Sequence, residues 1–205
     1  MKRAGPYLLA TRSAGKLREL EPLFARAGIE VITLDRVGIP ESAAEEAIEA
    51  FSTFEENACA KARYFREQSG LSTFADDSGL EVDALGGDPG VRSKRWSARA
   101  DLSGQELDDA NNAKVLEALR AVDDRRARYV CVAAFASSEG ELVRRGEVRG
   151  EILRAPRGRG GFGYDPLFLA EELGVTFGEA SLLDKERVSH RGRAFHALLE
   201  AMRAG

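Results

Sequence analysis

Short apolar runs alternate with amphipathic stretches along this chain, which is the pattern of an α/β domain. Tyr7 to Ala10 reads as a first strand, and Gly15 to Ala27 as a helix with Leu17, Leu20, Leu23 and Phe24 on one face. Val31 to Leu34 reads as the next strand. Thr53 and Glu56 have the spacing of a capping box and open a helix through Arg66, with Phe54, Ala58, Ala62 and Phe65 at helical intervals. Ser103 and Glu106 repeat the capping pattern for a helix ending near Ala121. Arg128 to Ser137 and Leu142 to Leu153 flank Ser138-Glu-Gly-Glu141 and read as two long strands joined by a hairpin-like turn. An apolar stretch at Leu167 to Leu169 and an amphipathic helix over Ser189 to Arg203 follow. With 205 residues and 43% hydrophobic content, the chain is expected to form one sizeable core in a single domain, 1–205.

Five segments carry chemistry. The most informative runs from Phe74 to Gly90, where Ser72 to Ala75 leads into Asp76-Asp77-Ser78-Gly79. Two adjacent carboxylates cost several kcal/mol if buried without partners, so the segment is either a solvated turn or a divalent-metal site. Upstream, Ala10-Thr-Arg-Ser-Ala-Gly-Lys16 lies between the first strand and the first helix, where backbone N–H groups, a hydroxyl and an ammonium make an anion site. Its spacing is not that of the P-loop. The acidic stretch Glu41 to Ala50 reads as a solvated face, yet a hard cation needs carboxylates from more than one segment, and Glu49 or Glu46 is the candidate to complement Asp77. In Gly160-Gly-Phe-Gly-Tyr-Asp-Pro-Leu-Phe168, permissive backbone beside aromatic rings suits a flat heterocycle. The last segment, Asp184 to Arg193, gathers Lys185, His190 and Arg191 around a helix start, where an anion among them would offset the helix dipole. Together these describe a nucleoside triphosphate bound with a divalent cation. Cys59 lies within a helix and no serine near the acidic turn has a neighbouring histidine, so metal-assisted attack by water is the economical mechanism.

A net charge of −4 argues against a general nucleic-acid or membrane-surface binder. Two cysteines with no CxxC, and only His190 and His196 as histidines, leave neither a disulfide framework nor a structural zinc site, and a reducing cytoplasm is expected. No segment reads as a signal peptide or a membrane span. Trp96 reads as a core or interface residue.

The chain resembles the inosine/xanthosine triphosphate pyrophosphatases through five ordered motifs that span Leu8 to Ala201. They are Leu9-Ala-Thr-Arg-Ser-Ala-Gly-Lys16, Thr53-Phe-Glu-Glu-Asn-Ala58, Ala75-Asp-Asp-Ser-Gly-Leu80 with Ala84-Leu-Gly-Gly-Asp-Pro-Gly-Val91, Gly161-Phe-Gly-Tyr-Asp-Pro166, and Ser189-His-Arg-Gly192. The resemblance implies an elongated, two-lobed α/β fold with a long mixed β-sheet flanked by helices, an active-site cleft between the lobes, and a homodimer; because tryptophan is enriched in interfaces, Trp96 and the segment around it are the candidate for part of that contact. It implies Mg²⁺-dependent hydrolysis of ITP, dITP and XTP to the monophosphate and pyrophosphate. By position it assigns Thr11, Arg12, Ser13, Ala14, Gly15 and Lys16 to the triphosphate, Glu49 and Asp77 to the metal, and Asp77 to activation of water. Ser78 would touch substrate, with Phe162, Gly163, Tyr164, Asp165, Lys185, His190 and Arg191 forming the nucleotide pocket and Asp76 as a further acidic member. Two positions depart from the family pattern: the first loop usually reads Thr-Gly-Asn where this chain has Thr11-Arg12-Ser13, and Arg92 replaces a usual tyrosine. A Maf-type pyrophosphatase and a nucleotide-binding module without turnover are the alternatives.

Overall fold

The computed structural model describes residues 5–48 and 50–204. The elements are β1 (Tyr7–Leu9), α1 (Ala14–Arg26), β2 (Val31–Thr33), α2 (Ala44–Ile48), α3 (Phe54–Ser69), β3 (Thr73–Val82), α4 (Gly104–Ala118), β4 (Arg126–Ala136), β5 (Glu141–Ile152), β6 (Phe168–Ala170), α5 (Leu182–Val188) and α6 (His190–Ala204). Six strands form a mixed sheet in the order β2-β1-β3-β4-β5-β6, parallel where β1 meets β2 and β3 and antiparallel where β5 meets β6. The α/β reading and the long mixed sheet expected from the sequence therefore hold, as does the hairpin, in which Ser137 N–H closes onto Gly140 O at 2.9 Å.

The chain separates into two compact units. One compact unit comprises the described parts of Met1–Asp77, Cys131–Arg145 and Ala194–Gly205; the other comprises Ser78–Val130 and Gly146–Arg193. The first is built on aromatic rings: Phe74, fully buried, has Phe24 and Phe135 each at 4.7 Å between centroids, and Phe195 meets Phe24 edge-on at 5.6 Å. Such pairs add to the burial of each ring. The second unit packs Leu80, Val115, Leu119, Tyr129, Val148, Leu167, Phe168 and Phe177, with Trp96 half-buried against them. Neither unit is a continuous stretch of sequence. The chain passes from the first to the second at the peptide bond between Asp77 and Ser78, in the middle of β3.

Two local expectations are corrected. The acidic segment is no turn: Asp76, Asp77, Ser78 and Gly79 lie inside the ten-residue strand β3. Turn-forming residue types were overruled because apolar Phe74, Leu80 and Val82 bury on either side and the carboxylates find partners. The capping box at Ser103 does not form either. Gly104 opens α4 at a left-handed φ of 54°, and the Ser103 side chain makes no cap hydrogen bond. At Thr53 the cap does form: its hydroxyl accepts from Glu56 N–H at 3.2 Å and donates to the Glu56 carboxylate at 2.7 Å.

Candidate active site

In the first unit, β1 delivers the chain into a braced turn. Thr11 Oγ1 accepts from Ser13 N–H at 3.2 Å, and Ser13, as N-cap of α1, accepts from Lys16 N–H at 3.3 Å. No acidic side chain stands in the first turn of α1, where Ala14 is exposed and Gly15 buried. That leaves the positive end of the helix dipole without an internal counter-charge from its own first turn. Arg12 leaves this turn in a different direction: Nε and Nη2 form a fork onto Glu45 at 2.8 and 2.7 Å, and Nη2 also reaches Ile39 O at 3.1 Å. The Glu45 carboxylate raises the Arg12 pKa above its ordinary value.

Strand pleating sends adjacent side chains to opposite faces, and the two carboxylates on β3 accordingly acquire different partners. Asp76 is 1% exposed; its Oδ2 lies 3.0 Å from Lys16 Nζ and 3.7 Å from Cys131 Sγ. Its main-chain oxygen accepts from Lys61 Nζ at 3.0 Å and Lys16 Nζ at 3.3 Å. Asp77 is half-buried, and its Oδ2 accepts from Asn57 Nδ2 at 2.9 Å. Asn57, itself 1% exposed, uses Oδ1 to take Phe51 N–H at 2.9 Å. Helical spacing of four puts Asn57 and Lys61 on one face of α3, so one helix holds both the carboxylate of Asp77 and the backbone of Asp76.

The candidate metal ligand Glu49 lies outside the described residues. Among the described residues, no three His, Cys, Asp or Glu side chains form a group that would hold a metal ion. The Asp77 carboxylate nevertheless suits Mg²⁺ chemically: it is a hard oxygen donor with its plane fixed by an amide, and Mg²⁺ characteristically takes one or two carboxylates and completes its shell with water and phosphate oxygens.

In the second unit, the glycine–aromatic segment is a tight loop clamped from several sides. Asp165, 2% exposed, accepts from Phe162 N–H at 2.8 Å and from Lys185 Nζ at 2.5 Å. Gly161 has a φ of 74° and passes so close that a Cβ there would overlap Asp165 Oδ2. From α4, Asp108 accepts Gly163 N–H at 2.7 Å and Asn112 donates to Gly163 O at 3.0 Å. Burial raises the Asp108 pKa, against the lowering effect of the Gly163 hydrogen bond. Tyr164 is buried and ties its hydroxyl to Ser93 O at 2.8 Å, and burial pushes its pKa up.

The half-buried Phe162 ring carries two cations: Lys185 Nζ at 5.1 Å and Arg191 Cζ at 5.5 Å from its centroid. Arg191 Nη2 donates to Ser78 Oγ at 2.8 Å, and His190 stacks on Tyr129 at 4.5 Å with the rings 6° from parallel. Lys185, His190 and Arg191 do not share one helix start as expected. Lys185 belongs to α5, while His190 and Arg191 open α6 after an extended Ser189. Gly192 permits this: a Cβ there would overlap Glu186 O of the preceding helix.

The structure thus brings Lys16 to Asp76 within one unit, and Ser78, Phe162, Asp165, Lys185 and Arg191 together in the other. Sequence reasoning missed Asn57, Lys61, Asp108, Asn112 and Tyr129. A polar pair four apart on one helix, Asn57 with Lys61 and Asp108 with Asn112, was the available signal.

The first unit thus holds one lysine-bound carboxylate, Asp76, and one amide-bound carboxylate, Asp77, and the second holds an aromatic loop flanked by Lys185 and Arg191. The Ham1 family model matches residues 7–201, and the chain belongs to that family. It is 47% identical over 199 residues to the dITP/XTP pyrophosphatase of Frankia alni, covering 96% of both chains. It is 48% identical over 201 residues to the protein of the same name from Mycolicibacterium paratuberculosis, covering 96% of this chain and 95% of the relative. A solved HAM1 protein from Coxiella burnetii superposes with a TM-score of 0.82 at 37% identity, over 98% of this chain and 99% of the other.

Proposed function

We propose that this chain hydrolyses deaminated purine nucleoside triphosphates (ITP, dITP and XTP) to the monophosphate and pyrophosphate, with Mg²⁺ as cofactor. The observation that carries the reading is the strand Asp76-Asp77-Ser78, whose three side chains are held by a lysine, an amide and a guanidinium respectively. The first suits a site that gathers phosphate, the second a site that orients a carboxylate toward chemistry, and the third a site that fixes the nucleoside.

In this reading the backbone of residues 11–15, with Lys16, holds the outer phosphates, while Asp77 takes the proton from the attacking water. Mg²⁺ held by Asp77 and Glu49 would polarise the phosphate under attack. Asn57 donates to the Asp77 carboxylate and helps orient it. The base lies at Phe162, Lys185, His190 and Arg191. Phe162, Gly163 and Asp165 already direct their backbone N–H groups to Asp165 Oδ2, Asp108 Oδ2 and Phe162 O. Lys185, Arg191 or the Tyr164 backbone N–H would donate to an oxygen at C6 of the purine, and ATP, with an amino group there, would meet a donor with a donor. Asp165 and Tyr164 shape the loop. Among the described residues no helix is long and apolar enough to cross a membrane. The reading also includes a cytoplasmic homodimer, and a solution mass near 22.3 kDa would remove the dimer from it.

The test is the bond broken. With ITP and Mg²⁺, a phosphate-specific dye stays silent until inorganic pyrophosphatase is added, while IMP accumulates from the start. Early orthophosphate with IDP would overturn the reading. Binding without any turnover would leave the regulatory module, and turnover confined to other modified nucleotides the Maf-type alternative.

A further inference from the structure

Arg12 stands where the resembling family usually has glycine, and its charge was expected to serve the triphosphate. Its contacts point elsewhere. The guanidinium directs a two-pronged hydrogen bond at Glu45 (2.8 and 2.7 Å), a third bond at Ile39 O (3.1 Å), and approaches Asp35 at 3.6 Å. Both main partners are sheltered, the Arg12 side chain at 22% and the Glu45 side chain at 18% exposure, whereas Asp35 at 90% adds little. A fork onto a carboxylate is the strongest side-chain pairing available to arginine, and its geometry is not matched by lysine. Glu45 is in turn fixed from behind, since its Oε1 also accepts Ser42 N–H at 3.2 Å.

We infer that Arg12 is a positioning residue: it ties the 11–16 turn to the segment 39–45 and α2, and does not bind phosphate itself. Buried Leu34 and backbone hydrogen bonds from Val37, Gly38 and Ile39 hold the start of the segment that follows β2, and the Arg12 tie extends this bracing to Glu45. The 11–16 turn is fixed on its own side by the Thr11 and Ser13 brackets, while the 34–43 stretch between β2 and α2 contains no strand or α-helix. At the far end of the acidic stretch, Asn57 takes Phe51 N–H and simultaneously holds Asp77. Glu45 is therefore tied by Arg12 to the turn that would receive phosphate, and Phe51, just beyond the acidic stretch, is held by the same Asn57 that holds the carboxylate that would activate water. An arginine at this position thus links two parts of one site through protein contacts alone. The inference deepens the proposed function and rests on it only for the activity readouts.

The experiment is a double-mutant cycle on the full chain with Arg12→Ala, Glu45→Ala and both together, plus Arg12→Lys. Each alanine variant is expected to raise KM for ITP by about tenfold with kcat changed less than about twofold, and the double variant to be no worse than either single one. Arg12→Lys is expected to recover little, because a point charge cannot restore the fork. The second readout needs no substrate: amide hydrogen exchange over residues 39–48 should quicken by about tenfold in both single variants. If the KM effects of Arg12→Ala and Glu45→Ala multiply, or if Glu45→Ala leaves KM unchanged while Arg12→Ala raises it, Arg12 binds phosphate directly and the inference fails. Unchanged exchange over 39–48 in Arg12→Ala also overturns it. Absence of ITP turnover in the unaltered protein would sink the proposed function instead, and the exchange result would still decide the role of Arg12.

Discussion

Lys16→Met tests the structural role of the Lys16–Asp76 pair. The Asp76 carboxylate is 1% exposed and lies 3.0 Å from the Lys16 ammonium, so removing that cation takes a partner from a charge held out of water. Breaking a buried pair in this way costs about 3–5 kcal/mol when nothing else compensates. Here Lys61 Nζ remains 3.0 Å from the main-chain oxygen of Asp76, and its charge offsets part of the loss. We therefore expect a destabilisation of about 2–3 kcal/mol. In a chain of this length each kcal/mol moves the melting temperature by about 2–4 °C, so the drop should be roughly 4–12 °C. Urea unfolding should show a lower midpoint with an unchanged slope. Adding Asp76→Asn to Lys16→Met replaces the buried charge that has lost its Lys16 partner with a neutral amide and should recover at least about 1 kcal/mol, although each single change is destabilising. A Lys16→Met protein within about 0.5 kcal/mol of the unaltered one, or a double variant less stable than Lys16→Met alone, would refute the reasoning.

Asp108 has a folded-state pKa above its ordinary 3.8 because of burial, so the stability this group contributes is present below that value and is lost as pH rises through the folded pKa. Asp108→Asn, whose amide oxygen can still accept Gly163 N–H, should gain stability relative to the unaltered protein as pH rises over that window; melting curves with a constant difference at every pH would count against it. For Phe162→Ala, loss of a ring flanked by Lys185 and Arg191 should raise KM for ITP far more than it lowers kcat, and steady-state kinetics showing a kcat effect alone would remove this ring from ground-state binding.

Much of the fold was legible because local rules and tertiary contacts agreed. The β1–α1 unit, the Thr53 cap with its helix, the β4–β5 hairpin and the final amphipathic helix all follow from periodicity and cap or turn chemistry, which act over a few residues. The five motifs likewise contain most of the candidate site residues. The misreadings came where distant partners decide the outcome. Asp76-Asp77-Ser78-Gly79 has the composition of a turn, yet it runs as strand because Lys16, Lys61 and Asn57, 15 to 60 positions away in sequence, satisfy its polar groups. Ser103 has the spacing of a cap, yet the left-handed Gly104 turns the helix start away from it.

Sequence alone determined the identities on which the proposed phosphate and heterocycle chemistry rests: two adjacent carboxylates, Lys16 at a helix start, and an aromatic ring among glycines. Only the tertiary structure decided how those groups divide their work. It gave Asp76 to lysine and Asp77 to an amide, turned Arg12 toward Glu45, and recruited Asp108 and Asn112 to fix Gly163. The physical reason is range: propensity and periodicity are set by neighbours along the chain, whereas the partner of a buried charge is set by whichever helix or strand folding brings within about 3 Å.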